Sequence, residues 1–511
     1  AAVFFCRAPG GGMVETETQQ RRLVVSKKER HYMANIALPG NPRYQPKDLV
    51  AHFGYDNLVR TLIEVELATL RTLCDVRVVC QEDMDLLTPD VEARLFAITT
   101  SQVDTVEREI TKHDIRALVR VIQEVIPEPL RRWIHVPLTS YDVIDTARSL
   151  QFLRAHTLVL RPKTHALMQC LLNQAIRYAK EVQIGRTHGQ HALPITVGFW
   201  FATILNRVFY NWREAEEYSR GLVGKISGAV GAYNAQAGLG MRGSANFVFE
   251  DRVLERLGLR PAPISTQVLP PEPLAYYLYS CLMLSASLGQ FGRDSRHLMR
   301  TEIAELAEPF ETGQVGSSTM AHKRNPLHFE NLEGMWLKNK SEFGKVLDTM
   351  ISEHQRDLVG SSLARDFPTL IVNLTYQLDT LLRKGKDDTP FLGRLVVDTE
   401  ACRRNFAAQG DRILAEPFYL ALQMHGYEGD AHELINHKAL PLVGREEPTL
   451  FAAVQRLAYN DPHLGSAWER IPHEVRSLLS DPTKYTGRAE EKVEDICATV
   501  TAYLASHKWY S

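Results

Sequence analysis

Between Gly316 and Pro326 the chain reads Gly-Ser-Ser-Thr-Met-Ala-His-Lys-Arg-Asn-Pro. Serine hydroxyls can move a proton once a neighbour activates them, Lys323 brings a fixed positive charge, and Asn325 brings an amide. Asn325-Pro326 reads as a helix start, with Asn as N-cap and Pro at the first helical position. A polar, cationic loop that runs into a helix N-terminus is suited to binding an anion. The plain alternative is a solvated connection between two helices.

Three further polar clusters interrupt otherwise apolar stretches: Lys112-His113-Asp114, Thr139-Ser140 followed by Asp142 and Asp145, and Gly185-Arg186-Thr187-His188-Gly189-Gln190-His191. Each is expected near a helix end. Taken singly, each has an ordinary reading: a solvated helix face, a helix cap, a hydrogen-bonded structural histidine. His188 and His191 have no HExxH pattern and no third ligand nearby, so a metal site is not expected. Together the clusters supply histidines, lysine, hydroxyls and amides. That inventory suits holding a polyanionic small molecule and moving protons on it. No carboxylate pair stands out, so glycoside hydrolysis fits poorly.

Composition narrows the classes. The chain has 511 residues, 44% hydrophobic and 23% charged, with a formal net charge of −2. That is a soluble, globular balance with no basic field for nucleic acid. The seven cysteines form no CxxC pair, which argues against structural zinc or a disulfide framework and fits a reducing, cytoplasmic setting. No apolar run of membrane-spanning length is present, so no membrane partner is expected. Residues 1–32 show little periodicity and read as a disordered N-terminal extension.

The elements that must position these clusters are long helices. From Leu274 to Leu306 apolar residues recur at spacings of three, four or seven, and no proline falls between Pro273 and Pro309. A helix of about 35 residues fits there, against a usual ~11–12. A second seam follows Pro326 through Leu332, Trp336, Phe343 and Leu347. Asp145–Val182, kinked at Pro162, and Pro194–Arg220 are further candidates. Several long helices with polar connections imply an all-α bundle whose surplus apolar faces favour oligomerisation. Prolines at 127, 129 and 137 and the break at Lys384–Asp388 suggest domains of 33–136 (N-terminal helical), 137–385 (central long-helix bundle) and 386–511 (C-terminal helical). Gly224–Gly243 lacks a phosphate-loop ending, since Gly224-Lys225 is followed by Ile226, and reads as an irregular connection.

Gly316–Pro326 resembles the signature loop of the fumarase/aspartase superfamily, Gly-Ser-Ser-x-Met-Pro-x-Lys-x-Asn-Pro. Thr187-His188-Gly189-Gln190 and Thr139-Ser140-Tyr141-Asp142 resemble two more shared regions. The details look most like the adenylosuccinate lyase branch: Lys112-His113-Asp114, Arg43-Tyr44, Gln267 after Ser265-Thr266, and Arg356 with Ser361 and Arg365. The likeness covers roughly 41–440. One departure is Ala321, where the superfamily loop has proline; alanine lifts that restriction on the loop.

The resemblance implies the superfamily's three-domain all-α fold, whose long-helix bundle assembles into a tetrameric helical core, with sites shared between subunits of a homotetramer. It implies no metal and no organic cofactor. The implied reaction is β-elimination of fumarate from adenylosuccinate to give AMP, and from the succinyl-aminoimidazole carboxamide ribotide of purine biosynthesis. Ser317 is then the base and His188 the acid. Lys323 and Asn325 stabilise the dianionic aci-carboxylate, where each well-placed donor is worth ~2.7–4 kcal/mol. Glu330 pairs with His188. Ser318, Thr139, Ser140, Thr187 and Gln267 bind succinyl or base groups. Arg43, Tyr44, Arg356, Ser361 and Arg365 hold phosphate and base, and His113, flanked by Lys112 and Asp114, orients substrate or assists proton transfer. The alternatives are another superfamily lyase or cycloisomerase, of argininosuccinate lyase or carboxymuconate cycloisomerase type, and a non-catalytic helical scaffold.

Overall fold

The structure is a computed structural model that describes residues 45–241, 248–310, 319–320 and 322–507. Residues 1–32, Arg43, Tyr44, Ser317, Ser318 and Ala321 lie outside the described residues.

Helix α1, Leu58–Asp75, and helix α2, Asp114–Val125, frame the N-terminal part. Each turns an apolar stripe inward, and Ile63, Leu67, Leu70, Leu118 and Ile122 are buried there. The same core draws on residues beyond Pro137. Helix α3, Ser140–Ala155, contributes Val143, Ala147 and Leu150 to it. Ile226, Phe249 and Val253 add to it from further along the chain.

The bundle follows. Helix α3 leads through a wide five-residue π turn, His156–Leu160, into α4, Arg161–Arg177. The expected kink at Pro162 is thus a π turn just before it, where the proline needs no N–H partner in the first turn of α4. The chain then forms a β-hairpin, β1 Val182–Thr187 and β2 Gln190–Thr196, which pair antiparallel. This corrects two expectations: helix does not run to Val182, and Pro194 lies in a strand. Helix α5, Val197–Arg220, starts where the Thr196 hydroxyl accepts the Phe199 N–H at 3.1 Å. Next come α6, Val248–Leu257, and the 27-residue α7, Glu272–Leu298. The seam expected to reach Leu306 stops eight residues short, because the chain turns at Ala304 (φ +53°) to bury Glu305 and to pair Leu306–Ala307 with Val396–Val397.

Helix α8, Leu327–Asp348, lies along α7 at close range. A Cβ on Gly292 would sit 2.5 Å from the Phe329 carbonyl oxygen, and one on Gly289 would sit 2.7 Å from the Trp336 Cβ. Helix α9, Pro368–Leu382, closes this group through buried amides. Gln377 accepts the Ser285 hydroxyl at 2.6 Å and donates to the Leu332 carbonyl at 2.8 Å. Such paired polar groups fix the register of three apolar helices. The C-terminal part has its own core around Phe418, Leu434, Val454 and Trp468, but helix α10, Ala489–Ser506, returns to pack on α4 and α5. Among the described residues, no helix is long and apolar enough to cross a membrane.

Candidate active site

A cavity of about 810 Å³ opens between the N-terminal helices and the bundle. His113 and Asp114 reach its lining from the start of α2, Ser140 and Tyr141 from the start of α3, and Arg356, Ser361 and Arg365 from the chain after α8. Sequences far apart thus meet at one surface, and each arrives at a helix end or a turn.

The local folding explains the placement. A π turn, Glu107–Thr111, ends at Lys112 in the left-handed region, and His113 becomes the N-cap of α2, its Nδ1 accepting the Arg116 N–H at 3.5 Å. The His113 ring lies 3.2 Å from the Asp114 carboxylate and is about half exposed. Lys112 turns back onto the Arg108 carbonyl and does not line the cavity.

Thr139 is the N-cap of α3, and its N–H donates to the Asp142 carboxylate at 2.8 Å. The other oxygen of Asp142 accepts from the Lys225 ammonium and from the Ser227 and Gly228 N–H groups at 3.1 and 3.2 Å. Both charged side chains are wholly buried. This pair ties the Thr139-Ser140 turn to the 225–228 segment, which also carries Ser227 against Ser265 at 2.7 Å. The Ser265–Gln267 turn is therefore placed from the same hub. One turn along α3, Asp145 accepts from the Leu269 N–H and from Arg148. Burial pushes its carboxyl above the usual range, and Arg148 only partly offsets that.

Arg356 is held on every side. Nη1 donates to Gln267 Oε1 at 3.0 Å, Nε to the Asp357 carbonyl at 3.2 Å, and Nη2 lies 3.5 Å from Ser361 Oγ. Gln267 and Arg356, expected to share one ligand, thus touch each other directly.

The hairpin β1–β2 carries Thr187 and His188 at its tip, both exposed. His188 adopts φ +54° and Gly189 φ +76°, the two-residue turn that such hairpins favour. This cluster is therefore a hairpin turn and not a helix end. Its base is clamped by Glu305, buried, which accepts from Arg186 at 2.6 Å, Gln183 at 2.7 Å and Asn405 at 2.8 Å.

The start of α8 departs from expectation. Pro326, not Asn325, is the N-cap, and among the described residues no loop side chain caps the helix. Glu308 does so instead: one oxygen accepts the His328 and Phe329 N–H groups at 2.8 and 3.0 Å, the other meets His328 Nδ1 at 2.6 Å. Arg383 contacts the far ring nitrogen of His328. A resident carboxylate therefore occupies the anion-binding end of this helix. Lys323 and Glu330 are exposed, and Asn325 is half-buried.

Within one chain, then, His113, Asp114, Ser140, Arg356, Ser361 and Arg365 line a single cavity, and Gln267 reaches it through Arg356. Thr187, His188, Lys323, Asn325 and Glu330 do not line it, and no hydrogen bond or ion pair joins His188 to Glu330. Sequence reasoning missed Lys225, Glu305 and Glu308. Lys225 alone left a trace, as a charge inside an otherwise glycine-rich and apolar stretch. Among the described residues, no three His, Cys, Asp or Glu side chains gather as a metal set would require.

A family described as lyase matches residues 71–338. The adenylosuccinate lyase of Archaeoglobus fulgidus is 32% identical over 92% of this chain and 100% of its own length. That of Bacillus subtilis is 30% identical over 80% of this chain and 89% of its own length. The chain belongs to the adenylosuccinate lyase family. Like the family, it is a carbon–nitrogen lyase. Two solved structures share the family's wider fold. A fumarate lyase from Mesorhizobium sp. BNC1 superposes with a TM-score of 0.74 at 23% identity, covering 89% of this chain and 98% of that one. The 3-carboxy-cis,cis-muconate lactonizing enzyme of Pseudomonas putida gives 0.73 at 22%, covering 90% and 98%.

Proposed function

We propose that this chain cleaves adenylosuccinate to AMP and fumarate, with the imidazole succinyl-carboxamide ribotide as a second substrate. The observation that carries the reading is the convergence of Arg356, Ser361, Arg365 and His113 on one cavity, with Gln267 hydrogen-bonded to Arg356. Guanidinium groups beside hydroxyls are the donors a phosphate needs.

In this reading Ser317 removes the proton from the succinyl carbon next to the one bonded to nitrogen. The electron pair forms the new C=C bond, the C–N bond breaks, and His188 hands the leaving nitrogen its proton. Lys323 and Asn325 stabilise the dianion that forms between the two steps. Glu330 holds His188 in place. Thr139, Ser140, Thr187 and Ser318 bind succinyl or base groups, and Arg43 and Tyr44 join the phosphate side.

His188, Lys323 and Glu330 stand away from the cavity of their own chain. That arrangement supports a site completed by other copies in a homotetramer. So do the exposed Tyr210, Tyr276, Tyr279, Leu337 and Leu347 along α5, α7 and α8.

The test is fumarate release from adenylosuccinate by the full chain. Turnover that falls by about 10²–10⁴ in His188→Gln is expected. Turnover of argininosuccinate or carboxymuconate with none of adenylosuccinate would overturn the reading.

A further inference from the structure

We propose that Tyr141 is a positioning residue for nucleotide phosphate, presenting the Arg356 guanidinium on its ring face and holding Ser361 through its hydroxyl. The inference rests on the functional reading above, which gives Arg356 and Ser361 a phosphate to bind.

Tyr141 lies in the first turn of α3, one residue after Ser140. The Arg356 Cζ stands 3.5 Å from the centre of its ring. A cation over an aromatic face is attracted by the ring quadrupole, and a guanidinium can lie flat on it. The Tyr141 hydroxyl and Ser361 Oγ are 2.8 Å apart. One side chain thus touches both partners assigned to the phosphate, and Ser361 lies 3.5 Å from Arg356 Nη2 to close the triangle.

Tyr141 belongs to none of the apolar cores and is only half-buried, so packing does not account for it. It stands between two spaces. The 810 Å³ cavity lies on one side and a smaller one of about 130 Å³ on the other, with Tyr141, Arg148, Arg356 and Ser361 lining both. The stack is thus part of the wall that both cavities share.

The loop that carries Arg356 is also firm. Asp357 accepts the Glu353 and Val359 N–H groups at 2.8 and 2.6 Å and the Ser352 hydroxyl at 2.9 Å. With the backbone fixed, the remaining freedom of Arg356 is rotation of its own side chain. Tyr141 and Gln267 restrict that rotation from the face and from the edge.

The experiment compares AMP and adenosine binding to the full chain by calorimetry, alongside adenylosuccinate kinetics. Tyr141→Leu should weaken AMP about tenfold and leave adenosine within about twofold. Its KM for adenylosuccinate should rise in step with the AMP loss, with kcat within about threefold. Tyr141→Phe keeps the ring face and should lose less than about threefold. If Tyr141→Leu does not fold, phenylalanines carrying increasing fluorine at 141 must weaken AMP stepwise, because fluorine drains the ring face at nearly constant shape. A flat fluorine series overturns the proposal. So does equal loss of AMP and adenosine, or no AMP binding by the unmodified chain. AMP binding that depends on Tyr141 in a chain that does not cleave adenylosuccinate upholds the proposal and sinks the functional reading instead.

Discussion

Lys225 carries a charge with no exposed surface, and Asp142 answers it. Removing one member of such a pair strands the other, which costs about 3–5 kcal/mol, while replacing both by apolar groups costs far less. Asp142→Ala is therefore expected to lower the urea midpoint sharply, and Asp142→Leu with Lys225→Met to recover only part of it, because the Thr139, Ser227 and Gly228 N–H groups stay unpaired. His165, on α4, lies edge-on to Trp212 and Tyr503. Burial holds its pKa down to about 4 from an ordinary 6.5, against the pull of Glu216. The folded chain thus binds this proton less readily than the unfolded one. Stability should be full above about pH 6.5 and should fall as the pH drops from there toward 4. Thermal midpoints measured across that window should fall less steeply in His165→Phe. The pairing of Lys225 with Asp142 and the burial of His165 were not legible in the sequence. Asp142 reads there as a helix cap, which it is, but its partner is 83 residues away.

At the scale of elements, α5, α7 and α8 were legible because apolar residues recur at helical spacing over many turns. Their ends were legible only in part: α5 stops at Arg220 as expected, but α7 stops short of Leu306. Ile303 and Leu306 keep the spacing after the chain has left the helix, since burying Glu305 against Arg186 outweighs one more turn. The hairpin left no alternating pattern, because Gln183 points its amide inward to the same carboxylate. Glu305→Ala should therefore cost about 3–5 kcal/mol by stranding Arg186. It should lower kcat through the hairpin tip, measured beside a melting curve that separates the two effects. The α7–α8 contact is set by glycine. Gly292→Ala forces a methyl against the Phe329 carbonyl, so a loss of about 1–3 kcal/mol in denaturant unfolding is expected.

For the whole molecule, the sequence motifs marked most of the proposed site residues, yet one chain gathers only part of them around the cavity. If other copies complete the site, as proposed, local sequence carries no record of which of their surfaces does so. Light scattering should give a mass about four times 57.8 kDa. Mixing Ser317→Ala with His188→Ala, each inactive alone, should restore activity if the two groups come from different copies. Mixtures no more active than their components would place both groups in one chain. Among the described residues, three hydrophobic cores are joined by returns of the chain: Ile226 and α6 onto the N-terminal core and α10 onto the bundle.

Glu308 grips the first turn of α8 from the near side of the signature loop, so a single carboxylate pins both ends of the span between 308 and 328. The span is a cassette with a fixed neck. Lengthening such a closed segment costs little, about 0.6 kcal/mol per doubling. A change in the length of this cassette need not therefore shift the bundle beneath it, while the chemistry proposed for Ser317, Lys323 and Asn325 holds its residue types.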